Sequence, residues 1–272
     1  MSKTILITGA SSGIGKATAK YFNGKGWNVV ATMRSPDKVK DLEESDSLKK
    51  FALDVTDDES IAKAVAAGLK EFKTIDVLLN NAGFAVFGPM ESVSEEVIQQ
   101  QFAVNVFGMI RVSKAVLPHF RAKKSGRIIN ISSMAGRITF PLVSMYNSSK
   151  FAVEGLSESL NYELNPLGID VKLVEPGAVR TAIYGKSMAG IDNEITEYNT
   201  IISQIEKSFD NASDGMFPST PEDMAKTIYK AATTKSRRMR YLSGRDAKML
   251  VFLRNVLGVN MYMWCIKKLY KI

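Results

Sequence analysis

Tyr146 and Lys150 stand four residues apart in Tyr146-Asn147-Ser148-Ser149-Lys150, one turn of a helix, so both side chains can face one cleft. A phenol with a pKa of about 10 is a poor base at neutral pH. An ammonium beside it favours the phenolate, and the pair then becomes a group that can give a proton to a substrate oxygen or take one away. The strand-like run Arg127-Ile128-Ile129-Asn130-Ile131 delivers two serines, Ser132 and Ser133, the second thirteen positions before the tyrosine. Neighbours on a strand point to opposite faces, so only one serine enters the cleft. Ser133 is assigned that place, where its hydroxyl would stabilise charge developing on the substrate oxygen.

A second chemistry is written at the other end of the chain. The run Thr4-Ile5-Leu6-Ile7 leads into Thr8-Gly9-Ala10-Ser11-Ser12-Gly13-Ile14-Gly15 and then into helical spacing. Glycines there let the backbone close on a diphosphate, and the helix start offers unpaired N–H groups and the positive end of its dipole. Gly9, Ser11, Ser12, Gly13, Ile14 and Gly15 are therefore the phosphate-binding candidates.

These groups need a scaffold, and the first 180 residues supply one by alternating β-branched runs with helical stretches. Strands are expected at 4–8, 27–32, 50–53, 75–79, 126–131 and 169–174, and helices at 14–25, 37–45, 58–72, 94–120 and 147–165. Thr56-Asp57-Asp58-Glu59 and Ser92-Val93-Ser94-Glu95-Glu96 have the small caps and first-turn acids of helix starts. The implied fold class is α/β, a single-domain doubly wound parallel sheet of Rossmann type with helices on both faces. The catalytic domain is expected to cover 1–245, with a substrate lid at 183–217 hinged on Gly185, Gly190 and Gly215. An apolar and basic extension follows at 246–272, bordering the pocket or an apolar surface. It has no uninterrupted run of about eighteen apolar residues for a membrane span.

Taken in order, the TGxxxGxG turn at 8–15, Asp54-Val55, Asn80-Asn81-Ala82-Gly83, Ser133, the YxxxK pair and Pro176-Gly177 resemble the short-chain dehydrogenase/reductase family, over residues 4 to 181. The resemblance implies hydride transfer between a nicotinamide dinucleotide and a carbonyl or alcohol carbon, with Tyr146 as acid in reduction and base in oxidation. It implies that Asp54 and Val55 meet the adenine, that Asn81, Ala82 and Gly83 line the adenosine ribose, and that Pro176, Gly177, Val179 and Thr181 surround the nicotinamide. Asn105 matches the family's fourth active-site position, where it would hold a water connecting Lys150 to solvent. The family also implies a homodimer or homotetramer built on helices 94–120 and 147–165.

Met33 stands where NAD-preferring relatives usually present an acid to the ribose 2′-hydroxyl, and Arg34 follows it, able to pair with a 2′-phosphate. NADP(H) is therefore expected over NAD(H). Phe84, Val86, Phe87, Met134, Phe140 to Val143 and Met145 follow the motifs and are apolar, which suits a lipophilic ketone or alcohol and is similar to the hydroxysteroid-dehydrogenase-like subgroup. Two other readings share features with this one. A regulatory protein that binds NADP(H) without turnover would need none of Asn105, Ser133, Tyr146 and Lys150. A nucleotide-sugar epimerase or dehydratase would share YxxxK but favour a different glycine turn and a larger C-terminal part.

The 272 residues carry 36 Lys and Arg against 28 Asp and Glu, a net charge of +8. The basic pairs are scattered without an interleaved aromatic stripe, so no nucleic-acid partner is expected. Peripheral contact of the C-terminal stretch with a membrane suits its basic, apolar composition. The lone Cys265 permits no intrachain disulfide and the lone His119 no histidine cluster, so no metal site is expected. With no apolar leader before the first strand, a cytoplasmic location is expected.

Overall fold

The computed structural model describes residues 2–179, 195–205 and 219–272. Seven strands form one sheet, β1 (Thr4–Ile7), β2 (Asn28–Met33), β3 (Leu48–Ala52), β4 (Val77–Asn80), β5 (Gly126–Ile131), β6 (Ile169–Pro176) and β7 (Arg240–Ser243). All pair in parallel in the order β3-β2-β1-β4-β5-β6-β7. The order reverses between β1 and β4, and ligands in open parallel sheets bind outside the carboxyl ends of the strands at such a reversal.

Both faces are covered, and strand alternation decides which residue goes to which side. Ile5, Ile7, Val29, Ala31, Ile129 and Ile131 face the helices α1 (Gly13–Asn23) and α6 (Pro221–Thr233), sharing a core with Phe22, Trp27 and Ile228. Leu6, Val30 and Ile128 point the other way, into a core with Ile61, Val112, Val116 and Phe120 from α2 (Asp58–Phe72) and α4 (Met109–Lys123). Asp57 caps α2 by accepting from the N–H groups of Glu59 and Ser60, and Ser94 caps α3 (Glu95–Phe102) by accepting from Val97. His119 has a structural role, its Nε2 accepting from the Ile75 N–H at 3.1 Å.

The expected helix at 37–45 does not form. Only a 3-10 turn, Pro36–Lys38, is present. Leu42 is the single fully buried residue of the segment, and its polar groups bind locally instead: Glu44 accepts from the Lys50 N–H at 2.8 Å and Ser45 from the Ser47 N–H at 3.3 Å. The expected long helix 94–120 is broken by a π-turn, Ala103–Gly108, between α3 and α4. Of the expected lid, only 195–205 lies within the described residues. There a 3-10 turn, Thr196–Tyr198, leads into a helical stretch at 199–205, and the Tyr198 hydroxyl donates to Glu91 at 3.0 Å.

The extension is one helical element, α7 (Arg245–Tyr270), broken at Gly258, where φ is 70° and ψ 178°. By length and composition it is apolar enough to cross a membrane, with a mean hydropathy of 1.4 over its best window, despite the interrupting Arg254, Asn255 and Asn260.

A buried polar chain crosses the centre of the sheet toward α5 (Ser144–Leu164). Asn80 Nδ2 donates to Ser113 Oγ at 3.0 Å and to Asn130 Oδ1 at 2.9 Å, and Asn130 Nδ2 donates to Ser157 Oγ at 2.9 Å. This links α4, β4, β5 and α5 through side chains shut off from water. Asn130→Ala removes one of the two acceptors of the Asn80 amide and the donor to the Ser157 hydroxyl, breaking the chain between β4 and α5, and should lower unfolding stability by about 1–3 kcal/mol in denaturant titrations.

Candidate active site

The chain ends of β1, β4, β5 and β6 meet along one edge of the sheet, and the predicted groups gather there. The turn after β1 is fastened to β2 by the Ala10 N–H on Thr32 O at 2.9 Å. It is fastened to β4 through Asn81, whose Nδ2 donates to Thr8 O at 2.9 Å and to Gly9 O at 3.1 Å. Thr8 Oγ1 in turn accepts from the N–H groups of Asn81 and Ala82, each at 3.0 Å. Gly9 holds φ of 69° and Gly13 φ of 51°. A Cβ on Gly15 would lie 2.3 Å from Gly9 O, so this helix start sits against the turn only because residue 15 is glycine. Ser12 is the N-cap of α1 without a side-chain cap bond, Ser11 and Ser12 are exposed and Ile14 is half-buried. That leaves the first-turn donors to an anion, and a dinucleotide diphosphate fits this donor set.

Arg34 is exposed just beyond β2, while Met33 is 2% exposed and packed into the core. An acid introduced at 33 would thus be buried, and the residue that meets solvent at this edge is Arg34. Asp54 lies nearby. Desolvation acts to raise its pKa, but hydrogen bonds from the Thr56 hydroxyl and N–H and the charge of Arg34 hold it below its ordinary value. Val55 is buried against the position where Gly108 lacks a side chain.

At the end of β5 the two serines diverge as alternation requires. Ser132 faces Glu154, and Ser133 lies within hydrogen-bonding reach of the Tyr146 hydroxyl while accepting from the Ala135 N–H at 3.1 Å. Burial raises the Tyr146 phenol above its ordinary pKa, and the Ser133 contact only partly offsets this. Lys150 is 6% exposed, with Nζ donating to Ile131 O at 2.9 Å and lying 5.7 Å from the centre of the Tyr146 ring. Desolvation pulls its pKa down to about 8, against the attraction of Glu154. Desolvation thus outweighs the Ser133 hydrogen bond, and the phenol is raised rather than depressed. Asn105 sits in the π-turn and is 1% exposed. Its amide is engaged by protein: Nδ2 donates to Phe84 O at 2.9 Å and Ser149 Oγ at 3.2 Å, and Oδ1 accepts from the Phe84 N–H at 3.1 Å. In this arrangement its side chain acts as a staple for the loop that carries Ala82 and the exposed Gly83.

Several residues at this edge escaped sequence reasoning. Gln101 is fully buried and holds the same loop, donating to Phe84 O at 2.6 Å and accepting from Val86 N–H at 2.9 Å. Behind Lys150, the buried acids Glu154 and Glu175 share Arg240, each 3.1 Å from its Nε, and Arg137 lies 3.5 Å from Glu175. Desolvation raises both acids, Glu175 to about 7 with the help of repulsion from Glu154. The helical interval from Lys150 to Glu154 and an acid inside the apolar run of β6 were the available signals. Asp246 was also missed. Its carboxylate accepts from the Ala178 N–H at 2.6 Å, and Gly177 N–H donates to Ser243 O at 2.8 Å, so the turn after Pro176 is held by the end of β7 and the start of α7. Val179 is buried and bridges to Ser219, and Thr181 lies outside the described residues. Of the apolar candidates for the pocket, Met134 and Phe140 pack against α7 and Val143 is buried, whereas Phe84, Val86, Phe87 and Met145 are half-buried.

Residues 3–192 match the model of the short chain dehydrogenase family. The oxidoreductase YusZ of Bacillus subtilis, itself uncharacterised, is 38% identical over 284 aligned positions, covering 98% of each chain. An NADPH-dependent 3-dehydrocapnine reductase of Ornithobacterium rhinotracheale is 36% identical, over 87% of this chain and 86% of the relative. Among solved structures, a short-chain dehydrogenase from Streptomyces avermitilis superposes with a TM-score of 0.83 at 35% identity, covering 94% of both chains.

A Cβ on Gly177 would lie 2.3 Å from the Asp246 carboxylate oxygens. Gly177→Ala should therefore cost about 1–3 kcal/mol of stability. Combined with Asp246→Ala the losses should be clearly less than additive in denaturant titrations, and strict additivity would show that the two residues do not meet.

Proposed function

Because this chain belongs to the short-chain dehydrogenase/reductase family, we propose that it transfers a hydride between NADP(H) and a lipophilic carbonyl or secondary alcohol, with Tyr146 as the proton-transfer group. The observation that carries this reading is the meeting of Ser133, Tyr146 and Lys150 at the carboxyl end of β5, beside a glycine turn suited to a diphosphate. A bound nicotinamide would supply or accept the hydride. Ser133 donates a hydrogen bond to the substrate oxygen. Tyr146, with its phenol raised by burial, keeps its proton through neutral pH and gives it to that oxygen in reduction. Lys150 titrates at about 8, so it is mostly cationic at pH 7 and lowers the cost of the phenolate that remains.

Arg34 supports the preference for NADP(H), as does similarity to a reductase named as NADPH-dependent. The half-buried Phe84, Val86, Phe87 and Met145 support an apolar substrate. Phe107, exposed in the π-turn before α4, and Phe151 and Tyr162, exposed on α5, support assembly of two or four copies through this side of the fold. A single free cysteine is in keeping with the cytoplasm.

Tyr146→Phe should lower kcat by about 100-fold or more while leaving NADPH affinity, read by fluorescence titration, nearly unchanged. Lys150→Ala should damage both, since the buried amine also borders the nicotinamide end of the cleft. Equal, mild losses in the two variants would sink the mechanism and favour a protein that binds the dinucleotide without turnover. Arg34→Leu should lower the ratio of kcat/KM for NADPH over NADH by about tenfold or more. A ratio that stays put would mean that the 2′-phosphate is recognised elsewhere.

A further inference from the structure

Helix α7 is apolar on two opposite sides. Ala247, Val251, Tyr262 and Ile266 are buried, and the last three share a cluster with Ile138, Met134 and Phe140 of the segment after Ser133. The side turned away from the body carries Met249, Phe252, Val256, Val259, Met263 and Trp264, each between 46% and 65% exposed. A helix apolar all round belongs inside a protein or against lipid, and contiguous exposed apolar surface marks a site of contact.

The charges say which contact. From Arg245 onward the chain holds Arg245, Lys248, Arg254, Lys267, Lys268 and Lys271 against one acid, Asp246, and that acid is turned inward onto the Ala178 N–H. Residues 245–272, six cations against one acid, thus carry +5 of the chain's net charge of +8. Lys268 lies 5.8 Å from the centre of the exposed Trp264 ring, an arrangement in which the aromatic body can enter an apolar layer while the ammonium stays at its polar boundary. A second copy related by a two-fold axis would set this patch on itself, cation against cation. A bilayer with anionic headgroups matches both the apolar face and the charge around it.

Passage through the bilayer does not fit. Gly258 divides α7 into two rods of about 20 Å each at about 1.5 Å per residue, short of the roughly 30 Å hydrocarbon core, and the body is packed along their other side. We propose that the outer face of α7 lies in the surface of an anionic bilayer, with its apolar side chains beneath the headgroups and its lysines at the phosphates. Because α7 rests on Met134 and Phe140, this docking sets the rim of the cleft at the membrane. The proposal stands whatever the substrate is.

The test uses the full chain with vesicles of phosphatidylcholine, alone or mixed with phosphatidylglycerol. Of the two tryptophans, Trp27 is 6% exposed in the core, so a change in emission on adding vesicles reports Trp264. Sedimentation with the mixed vesicles but not the neutral ones, loss of binding in salt, and a blue shift absent from Trp264→Phe are expected. Phe252→Glu with Val256→Glu should weaken binding by about tenfold or more with NADPH affinity and circular dichroism unchanged. Lys267→Glu, Lys268→Glu and Lys271→Glu together should do the same without touching the apolar face. Absence of wild-type vesicle binding, with an oligomer that Phe252→Glu and Val256→Glu split in light scattering, would make this face a subunit interface and overturn the proposal. Binding that leaves Trp264 emission and the Phe252 and Val256 variants unaffected would overturn it as well.

Discussion

Lys150 is a cation almost shut off from water, and removing an ammonium from water costs on the order of several kcal/mol unless protein groups replace its hydration. Among the described residues the replacement is the carbonyl of Ile131, with Glu154 attracting from one turn further along α5. The amine answers by titrating at about 8 instead of 10.5. That near-neutral poise is what a proton-transfer pair requires, and desolvation also raises the neighbouring half-buried phenol. The site is therefore not a phenolate held ready. It is a protonated tyrosine beside a lysine whose charge is easily changed by whatever enters the cleft.

Such an arrangement persists only if the elements around it cannot relax. The polar chain from Ser113 through Asn80 and Asn130 to Ser157 locks β5 to α5, and these two elements deliver Ser133, Tyr146 and Lys150. On the far side, Arg240 reaches Glu154, Glu158 and Glu175, coupling α5 to β6 and β7. Asn105 and Gln101 fix the loop after β4 from the π-turn and α3, and an irregular turn of that kind is common where a helix must present a side chain to a site. Asp246 performs the corresponding task for the turn after β6 and brings the C-terminal helix into the same framework.

The parts of this structure written in the sequence are those carried by local pattern. β-branched runs gave the strands to within a few residues, and the glycine turn and the paired serines of β5 appear where period-two alternation puts them, Ser132 toward Glu154 and Ser133 toward Tyr146. What could not be read depends on contacts distant in the chain. The segment 37–45 has helical spacing but only Leu42 to bury, so side-chain bonds to the backbone prevail. The π-turn that splits the long helix is set by Asn105 bonding to Phe84, twenty-one residues away in sequence. Burial of Glu154 and Glu175 and the inward turn of Asp246 arise from β7 and α7, whose placement no single-segment periodicity encodes. The upward shift of the Tyr146 phenol in the free protein is hidden for the same reason: charge proximity is visible in YxxxK, whereas desolvation is a property of the assembled cleft.

The central claim is that burial keeps the Tyr146 phenol protonated in the free protein, and that charge brought to the cleft pulls it down toward the working range. Ultraviolet difference titration of the phenolate, with Tyr146→Phe subtracted, measures this directly in the absence and presence of NADP+. Ionisation above the ordinary value of about 10 in the free protein, falling on addition of NADP+ in wild type and much less in Lys150→Met, is the predicted result. A phenol that ionises below its ordinary value without the dinucleotide, or one that NADP+ leaves unmoved, would contradict the account.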